Sequence, residues 1–239
     1  MLHFTSACAK IQVKMNRLEL AKRIDHTLLR PTGTYADVVR LCEEALQYRF
    51  ASVCVQPCWV ELAARQLAGS DVAVGTVVGF PLGANMPSVK LYEAEQALAA
   101  GATELDMVIA LPALKSGDWR AVRHEIEQIA CLCRSAQPPA VLKVIIECCY
   151  LTQEEKIRAT HVVAEAGADF VKTSTGFGEG GATIEDVRLL RAAAPSHLKV
   201  KAAGGIRTLS LALELLQAGA DRLGTSSGVA LLQQLEEEG

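Results

Sequence analysis

Seven short apolar runs recur along the chain, and segments with helical periodicity lie between them. The runs are rich in β-branched residues and do not alternate with polar residues, which is typical of parallel strands buried on both faces. These predicted strands are 51–55, 72–78, 104–109, 141–146, 169–172, 198–202 and 221–224. A closed sheet needs an eighth strand, and residues 24–29, just before the first helix, are the candidate.

The helical segments carry recognisable start and stop signals. Thr34 is a plausible N-cap for the helix that follows it, and Thr152 with Glu155 forms a capping-box pattern. Gly219 ends the predicted helix 208–218, as glycine does at many helix C-termini.

Eight strand–helix units in 239 residues match a single (β/α)8 TIM barrel, a fold that typically takes about 250 residues. An open doubly wound sheet is the alternative, but the chain has no linker, composition break or GxGxxG start to support two halves. We therefore predict one α/β catalytic barrel domain over 16–239. Residues 1–15 are predicted to be an N-terminal extension that is disordered or precedes the native start.

A repeated Ala-Gly-Ala turn indicates which strand residues face the barrel interior. It occurs before three predicted strands, with its glycines at Gly101, Gly167 and Gly219. The fifth residue after each glycine is Asp106, Lys172 and Gly224, respectively. Because alternate strands contribute to the same interior layer, we expect Asp106 and Lys172 to point inward at one height, with a gap at Gly224.

Two lysines on neighbouring strands suggest covalent chemistry. Lys172 and Lys201 lie near the C-terminal ends of their strands, where barrel enzymes build active sites, with Asp106 as the one nearby carboxylate. Repulsion between the ammonium groups would lower the pKa of one lysine, which could then attack a carbonyl and form a Schiff base. Asp106 would move protons, directly or through a water. A purely structural ion-pair network is the alternative.

The loops after the seventh and eighth strands resemble the common phosphate site of this fold. Gly204 and Gly205 follow one strand, and Gly224-Thr-Ser-Ser-Gly228 follows the next and leads into a short helix. Glycine backbones and helix N-termini both favour anion binding. Arg207 could bind the phosphate or pair with a surface carboxylate, and both roles stay open.

For several other polar residues, a structural role is expected or is one of two alternatives. Lys143 and Lys199 lie within strands and are expected to be structural, with Lys199 near the N-terminal rim. Asp25 and Thr27, at the end of the first strand, are candidates for contact with a substrate hydroxyl or for a structural role. No His, Asp or Glu spacing suggests a metal site or a cofactor.

Composition narrows the class of partner. The net charge is −3 and only 5% of residues are aromatic, so we expect neither nucleic acid nor a membrane surface as partner. Eight cysteines in a chain with ample core material suggest buried or half-buried thiols in a reducing cytoplasm rather than a disulfide framework.

Six motifs together resemble the deoxyribose-phosphate aldolase family over about residues 16–232. They begin at residues 24, 77, 104, 142, 170 and 200, and read IDHTLL, VVGFPLG, ELDMVI, LKVIIE, FVKTSTG and VKAAGGIR. The resemblance implies a class I, metal-free aldolase without a cofactor that reversibly cleaves 2-deoxy-D-ribose 5-phosphate to D-glyceraldehyde 3-phosphate and acetaldehyde.

The resemblance also implies residue roles. Lys172 matches the Schiff-base lysine, Lys201 the lysine that depresses its pKa, and Asp106 the acid of the proton relay. The matches to the phosphate-binding loops are Gly176, Gly204, Gly205, Gly224, Ser226 and Ser227. A sugar-phosphate isomerase and a non-catalytic sugar-phosphate sensor are the alternatives. The expected partners are a small sugar phosphate and aldehydes, and a homodimer or higher homo-oligomer is compatible with the fold.

Overall fold

The computed structural model describes residues 15–237, which form a closed barrel of eight parallel strands. Each strand pairs with the next along the chain, and the last pairs with the first to close the barrel. The strands are β1 (Ile24–Leu28), β2 (Ser52–Val55), β3 (Ala73–Val78), β4 (Glu104–Val108), β5 (Val141–Ile145), β6 (Phe170–Lys172), β7 (Lys199–Ala203) and β8 (Arg222–Thr225). The predicted TIM barrel and all eight predicted strands are confirmed.

Helices surround the barrel. They are α1 (Arg17–Ala21), α2 (Tyr35–Tyr48), α3 (Val60–Gln66), α4 (Pro87–Ala99), α5 (Leu111–Lys115), α6 (Trp119–Ser135), α7 (Gln153–Glu165), α8 (Ile184–Ala193), α9 (Leu209–Gln217) and α10 (Gly228–Glu237). Short 3₁₀ turns at Pro57–Trp59 and Cys148–Tyr150 follow β2 and β5.

The predicted cap residues begin and end these helices. The hydroxyl of Thr34 accepts from the Asp37 N–H at the start of α2, and Thr152 forms the same capping box with Glu155 at α7. The three helix-ending glycines, Gly101, Gly167 and Gly219, all have positive φ. This left-handed backbone conformation carries little cost for glycine, so each turn fixes where the next strand begins.

The main core lies between the strands and the helices. β2 and β4 are buried along their whole length, as strands covered on both faces should be. Outward-facing strand residues such as Leu105, Met107 and Val144 pack against apolar helix residues such as Ile126. The barrel interior differs, because several of its buried side chains are charged.

Seven cysteines lie within the described residues, and all are free thiols. Four are buried and three are exposed, so the expectation of buried or half-buried thiols holds for only part of the set. The predicted extension falls almost wholly on residues 1–14, outside the described residues. Among the helices of residues 15–237, none is long and apolar enough to cross a membrane.

Candidate active site

Lys172, Lys201 and Asp106 meet inside the barrel. Lys172 on β6 and Lys201 on β7 are register partners, and their Nζ atoms each lie 2.7 Å from the same oxygen, Oδ2 of Asp106 on β4. All three side chains are at most 3% exposed. Asp106 and Lys172 therefore meet at one height in the barrel, as the five-residue spacing from the glycines predicts.

The two lysines differ in protonation. Burial lowers the pKa of Lys172, helped by the nearby Lys201 charge, and the attraction of Asp106 only partly opposes this. Burial also disfavours the charged form of Lys201, but Asp106 and Asp25 together raise its pKa above the ordinary value. The geometry thus gives one lysine that readily becomes a neutral amine beside one that stays an ammonium. Burial, rather than repulsion from Lys201, is the largest cause of the lowered pKa.

More charged residues surround the lysine pair than the sequence suggested. The expectation of a single nearby carboxylate is wrong, because Asp25 on β1 is fully buried and also contacts Lys201 Nζ. Lys143 on β5 lies 3.1 Å from Asp106 Oδ1, 3.2 Å from Asp25 and 2.5 Å from Glu104. We call the whole set the inner charge cluster: Asp25, Glu104, Asp106, Lys143, Lys172, Lys201 and Arg222.

The composition of this cluster favours one neutral amine. Four basic groups face three carboxylates, so the charges balance when one lysine is uncharged. The attraction of Asp106, Asp25 and Glu104 raises the pKa of Lys143 despite its burial, and three lysines lower the pKa of Asp106 despite the same penalty. Lys172 is the one lysine whose pKa is lowered in this cluster. Lys172 is therefore the lysine of this cluster that loses its proton most readily.

Gly224 makes room for Lys201. A Cβ atom at position 224 would lie 3.1 Å from Lys201 Cε and 3.0 Å from Ala203 Cβ. Contacts this short are tighter than nine in ten real Cβ contacts, so a side chain at 224 would require Lys201 or Ala203 to move by a few tenths of an ångström. The predicted gap is thus real, and the neighbouring strand fills it with the Lys201 chain.

A cavity of about 400 Å³ opens at the carboxyl ends of the strands. Lys172 lies on its wall, whereas Asp106 and Lys201 are not among its lining residues and lie behind Lys172. The polar or glycine residues of the wall include Thr27, Thr175, Gly176, Gly204, Gly205, Arg207, Gly224, Thr225 and Ser226. A ligand in this cavity would therefore reach the Lys172 amine first.

The glycine loops border the same cavity. Gly176, Gly204 and Gly205 have φ values of 83°, 92° and 78°, a conformation that exposes backbone groups and favours glycine. Ser226 and Thr27 also line the cavity, but Ser227 does not. The Ser227 N–H donates to Thr225 Oγ1 at 2.9 Å. Of the predicted anion-binding residues, only Ser227 is thus left outside the wall.

Two cationic residues lie at the mouth. Arg30, in the loop after β1, and Arg207, in the loop after β7, both line the cavity. Arg30 is paired with Asp37 at 2.7 Å. No Asp or Glu is among the residues of the wall. The cavity therefore carries the electrostatics of an anion site. Within residues 15–237, no group of three or more His, Cys, Asp or Glu side chains is placed to hold a metal ion.

Two residues near the site escaped the sequence analysis as functional candidates. Cys54 on β2 is buried next to the cluster, and burial raises the pKa of its thiol to about 11. Glu147, just after β5, is 1% exposed and has a φ of 53°, in the left-handed region. Glu147 ends the LKVIIE motif, but no sequence signal points to a left-handed glutamate.

Comparison with known proteins gives a consistent result. The family model described as DeoC/LacD family aldolase matches residues 15–234. The chain is 52% identical to deoxyribose-phosphate aldolase of Carboxydothermus hydrogenoformans, over 91% of this chain and 95% of that protein. It is 54% identical to deoxyribose-phosphate aldolase of Thermococcus gammatolerans, over 90% and 96%.

A solved structure agrees with these matches. The deoxyribose phosphate aldolase of Aeropyrum pernix, described as tetrameric, superposes with a TM-score of 0.87 at 38% identity. The superposition covers 94% of each chain.

Proposed function

The chain belongs to the DeoC/LacD family of aldolases, and from this premise we propose that it reversibly cleaves 2-deoxy-D-ribose 5-phosphate. The products are D-glyceraldehyde 3-phosphate and acetaldehyde, and the chemistry is that of a carbon–carbon lyase working through a Schiff base. The observation that carries this proposal is the cavity-facing Lys172 amine, which shares one carboxylate oxygen with the ammonium of Lys201.

The reaction starts at the substrate aldehyde. The neutral Nζ of Lys172 attacks C1, and loss of water gives an iminium ion in which C1 is bonded to nitrogen. A base removes the proton of the C3 hydroxyl, the C2–C3 electron pair moves toward the iminium, and glyceraldehyde 3-phosphate leaves. The bond that breaks is C2–C3, not C3–C4, because the two-carbon product acetaldehyde retains only C1 and C2.

The second half of the cycle returns the lysine. The enamine left on Lys172 takes up a proton at C2, and water then hydrolyses the iminium to release acetaldehyde. Asp106 is placed for the proton steps because its carboxylate touches Lys172 Nζ at 2.7 Å. Since Asp106 does not line the cavity, a water would connect it to the substrate.

The phosphate would bind at the other end of the cavity. The backbones of Gly176, Gly204 and Gly205, with the Gly224–Ser226 segment ahead of α10, offer N–H groups and a helix N-terminus. The absence of carboxylates from the wall supports an anionic ligand. Thr27, on the neighbouring strand β1, also lines the cavity and is suited to a sugar hydroxyl.

Assembly, domain organisation and location are part of the same proposal. A homo-oligomer is supported by the tetrameric description of the Aeropyrum pernix relative. We infer one catalytic domain over 16–239 with residues 1–15 as an extension, and a cytoplasmic location, where a chain rich in free thiols would stay reduced. The near-balanced charge supports small-molecule partners rather than nucleic acid.

Product analysis tests the proposed reaction. We expect acetaldehyde and glyceraldehyde 3-phosphate to appear in equal amounts from deoxyribose 5-phosphate. A sugar-phosphate isomerase would give an isomeric sugar phosphate and no acetaldehyde, and a sensor would bind the substrate without turnover. Either result would overturn the proposal.

Covalent trapping tests the role of Lys172. Borohydride added during turnover should reduce the iminium to a stable secondary amine, and peptide mass mapping should locate the added mass on Lys172. An adduct on Lys201 or Lys143, or none at all, would contradict the assignment. Borohydride without substrate is the control.

A further inference from the structure

Glu147 combines three features that a surface glutamate does not have. Its side chain is buried at 1% exposure, its backbone is in the left-handed region at φ 53°, and it lies directly after β5 at the active-site edge of the barrel. Left-handed backbone is costly for a residue with a side chain and persists where the surroundings enforce it. A strained, buried carboxylate at this edge suggests a function beyond packing.

The Glu147 carboxylate contacts the loop that follows Lys172. It accepts the backbone N–H of Thr175 at 3.2 Å and the Thr175 hydroxyl in a short hydrogen bond. The Thr175 hydroxyl oxygen in turn accepts the N–H of Phe177 at 3.0 Å. One buried side chain therefore fixes both neighbours of Gly176.

The Gly176 N–H, between these two residues, is available. The N–H groups of Thr175 and Phe177 are both used internally, whereas the Gly176 N–H has no acceptor among the described residues. Gly176 borders the cavity and lies close to Gly204. A Cβ atom added at Gly176 would be 3.7 Å from the Cα atom of Gly204. The free N–H therefore belongs to a residue of the cavity wall.

The loop is shaped to admit the carboxylate. A Cβ at Gly178 would lie 3.2 Å from Glu147 Cδ, so a side chain there would press on the carboxyl group. Glu147 itself is not among the residues of the cavity wall. It can act on a ligand only through Thr175 and Gly176.

We propose that Glu147 is a positioning residue for the phosphate group of the substrate, acting by holding Thr175 so that the Gly176 N–H faces the anion. The proposal rests on the proposed function for its substrate, but the positioning itself concerns any phosphate in this cavity. It predicts that Glu147 affects phosphorylated ligands selectively and leaves the amine chemistry at Lys172 intact.

The test compares two substrates that differ only in the phosphate. For Glu147→Gln, in which one amide oxygen replaces two carboxylate acceptors, we expect kcat/KM for 2-deoxyribose 5-phosphate to fall about tenfold relative to kcat/KM for 2-deoxyribose. The loss should appear mainly in KM. An equal loss for both substrates, or no loss for either, would overturn the proposal.

A second variant guards against failure to fold. Glu147→Gly removes the side chain but suits a φ of 53°, so backbone strain is relieved while the hydrogen bonds are lost. It should show the same selective loss. Glu125→Gln is the matched control, because Glu125 is equally buried but pairs with Lys90 outside the cavity wall. Glu125→Gln should lower the Tm. Its kcat/KM for 2-deoxyribose 5-phosphate relative to its kcat/KM for 2-deoxyribose should equal that of the parent protein.

A binding measurement separates this proposal from the proposed function. Inorganic phosphate should raise the Tm of the parent protein and of Glu125→Gln, but raise that of Glu147→Gln less. If the parent protein cleaves neither sugar, the aldolase proposal fails while the phosphate shift still tests Glu147. If Glu147→Gln responds to phosphate as the parent does, the positioning role is excluded.

Discussion

Lys172 and Lys90 are both buried lysines bonded to a carboxylate, and burial lowers the pKa of each. Lys90, on α4, donates to Glu125 Oε1 at 2.7 Å and to the Val108 carbonyl at 2.8 Å. It is fully enclosed and lies outside the cavity wall. Lys172 instead faces the cavity and shares its carboxylate with Lys201. Burial alone therefore does not make a reactive amine; access to the cavity and a competing ammonium distinguish the two sites.

Replacing Lys172 should give the largest difference between the two sites. In Lys172→Met we expect turnover to fall by about 10⁴-fold or more, because no Schiff base can form. The protein should still fold, since Asp106 keeps its contacts with Lys201 and Lys143. Steady-state kinetics and circular dichroism measure both effects. Residual activity near the parent level would place the nucleophile elsewhere.

Removing the competing ammonium should change the pH dependence. In the proposed mechanism Lys172 reacts as the neutral amine, so activity should rise with pH as its ammonium loses a proton. In Lys201→Leu, Asp106 Oδ2 accepts a hydrogen bond from Lys172 but no longer from a second lysine, and the repulsion between the two ammonium groups is gone. The pKa of Lys172 should therefore rise.

The rising limb of the pH–rate profile should therefore move to higher pH. Activity at neutral pH should fall about tenfold for each unit of the rise and recover partly in alkaline buffer. The parent protein in the same buffers is the control. A profile with an unchanged midpoint would remove Lys201 from the tuning of Lys172.

Replacing Lys90 should lower the stability of the protein and change its turnover little. Lys90→Met leaves the buried carboxylate of Glu125 without its cation, which should lower the free energy of unfolding by about 3–5 kcal/mol. Urea denaturation measures this loss, and kcat per folded molecule should be retained. A large loss of kcat would show that the two sites are coupled through Val108 and β4.

The paired replacement sharpens the contrast. Burial raises the pKa of Glu125 and lowers the pKa of Lys90, so desolvation outweighs the attraction within the pair. Lys90→Met combined with Glu125→Leu should therefore recover most of the stability lost in the single variant. The combination of Lys172→Met with Asp106→Leu should not recover activity. If Lys90→Met with Glu125→Leu does not regain the lost stability, the attraction between Lys90 and Glu125 offsets the cost of burying them.

The strands and the central contact were predictable from the sequence for physical reasons. Strands covered on both faces leave continuous apolar runs, and glycine-ended helices set the register of the strand that follows. The spacing of five residues from Gly101 and from Gly167 correctly predicts that Asp106 and Lys172 lie together inside the barrel. The glycine loops at the cavity edge were predictable because Gly204 and Gly205 follow β7 and the segment after β8 leads into α10. That these loops bind phosphate stays a prediction.

The remainder of the inner charge cluster depends on closure of the barrel. Asp25 lies 197 residues from Arg222 in the chain, yet the pairing of β1 with β8 brings their side chains within 2.6 Å. β1 has no preceding Ala-Gly-Ala turn to fix its register in advance. The sequence predicts only a structural role for Lys143, because its place in the cluster comes from its register partner Asp106 and not from its own motif. A left-handed Glu147 is likewise a property of the assembled loop.

The five-residue spacing makes strand length a determinant of catalysis. Because side chains alternate between the faces of a strand, deleting one residue between Gly167 and Lys172 would turn Lys172 toward the helices and bring Thr173 to the inward position. Every catalytic residue type would still be present in such a chain. Its aldolase chemistry would nevertheless be lost, so a family alignment must be judged by gaps in this interval as well as by the identity of the lysine.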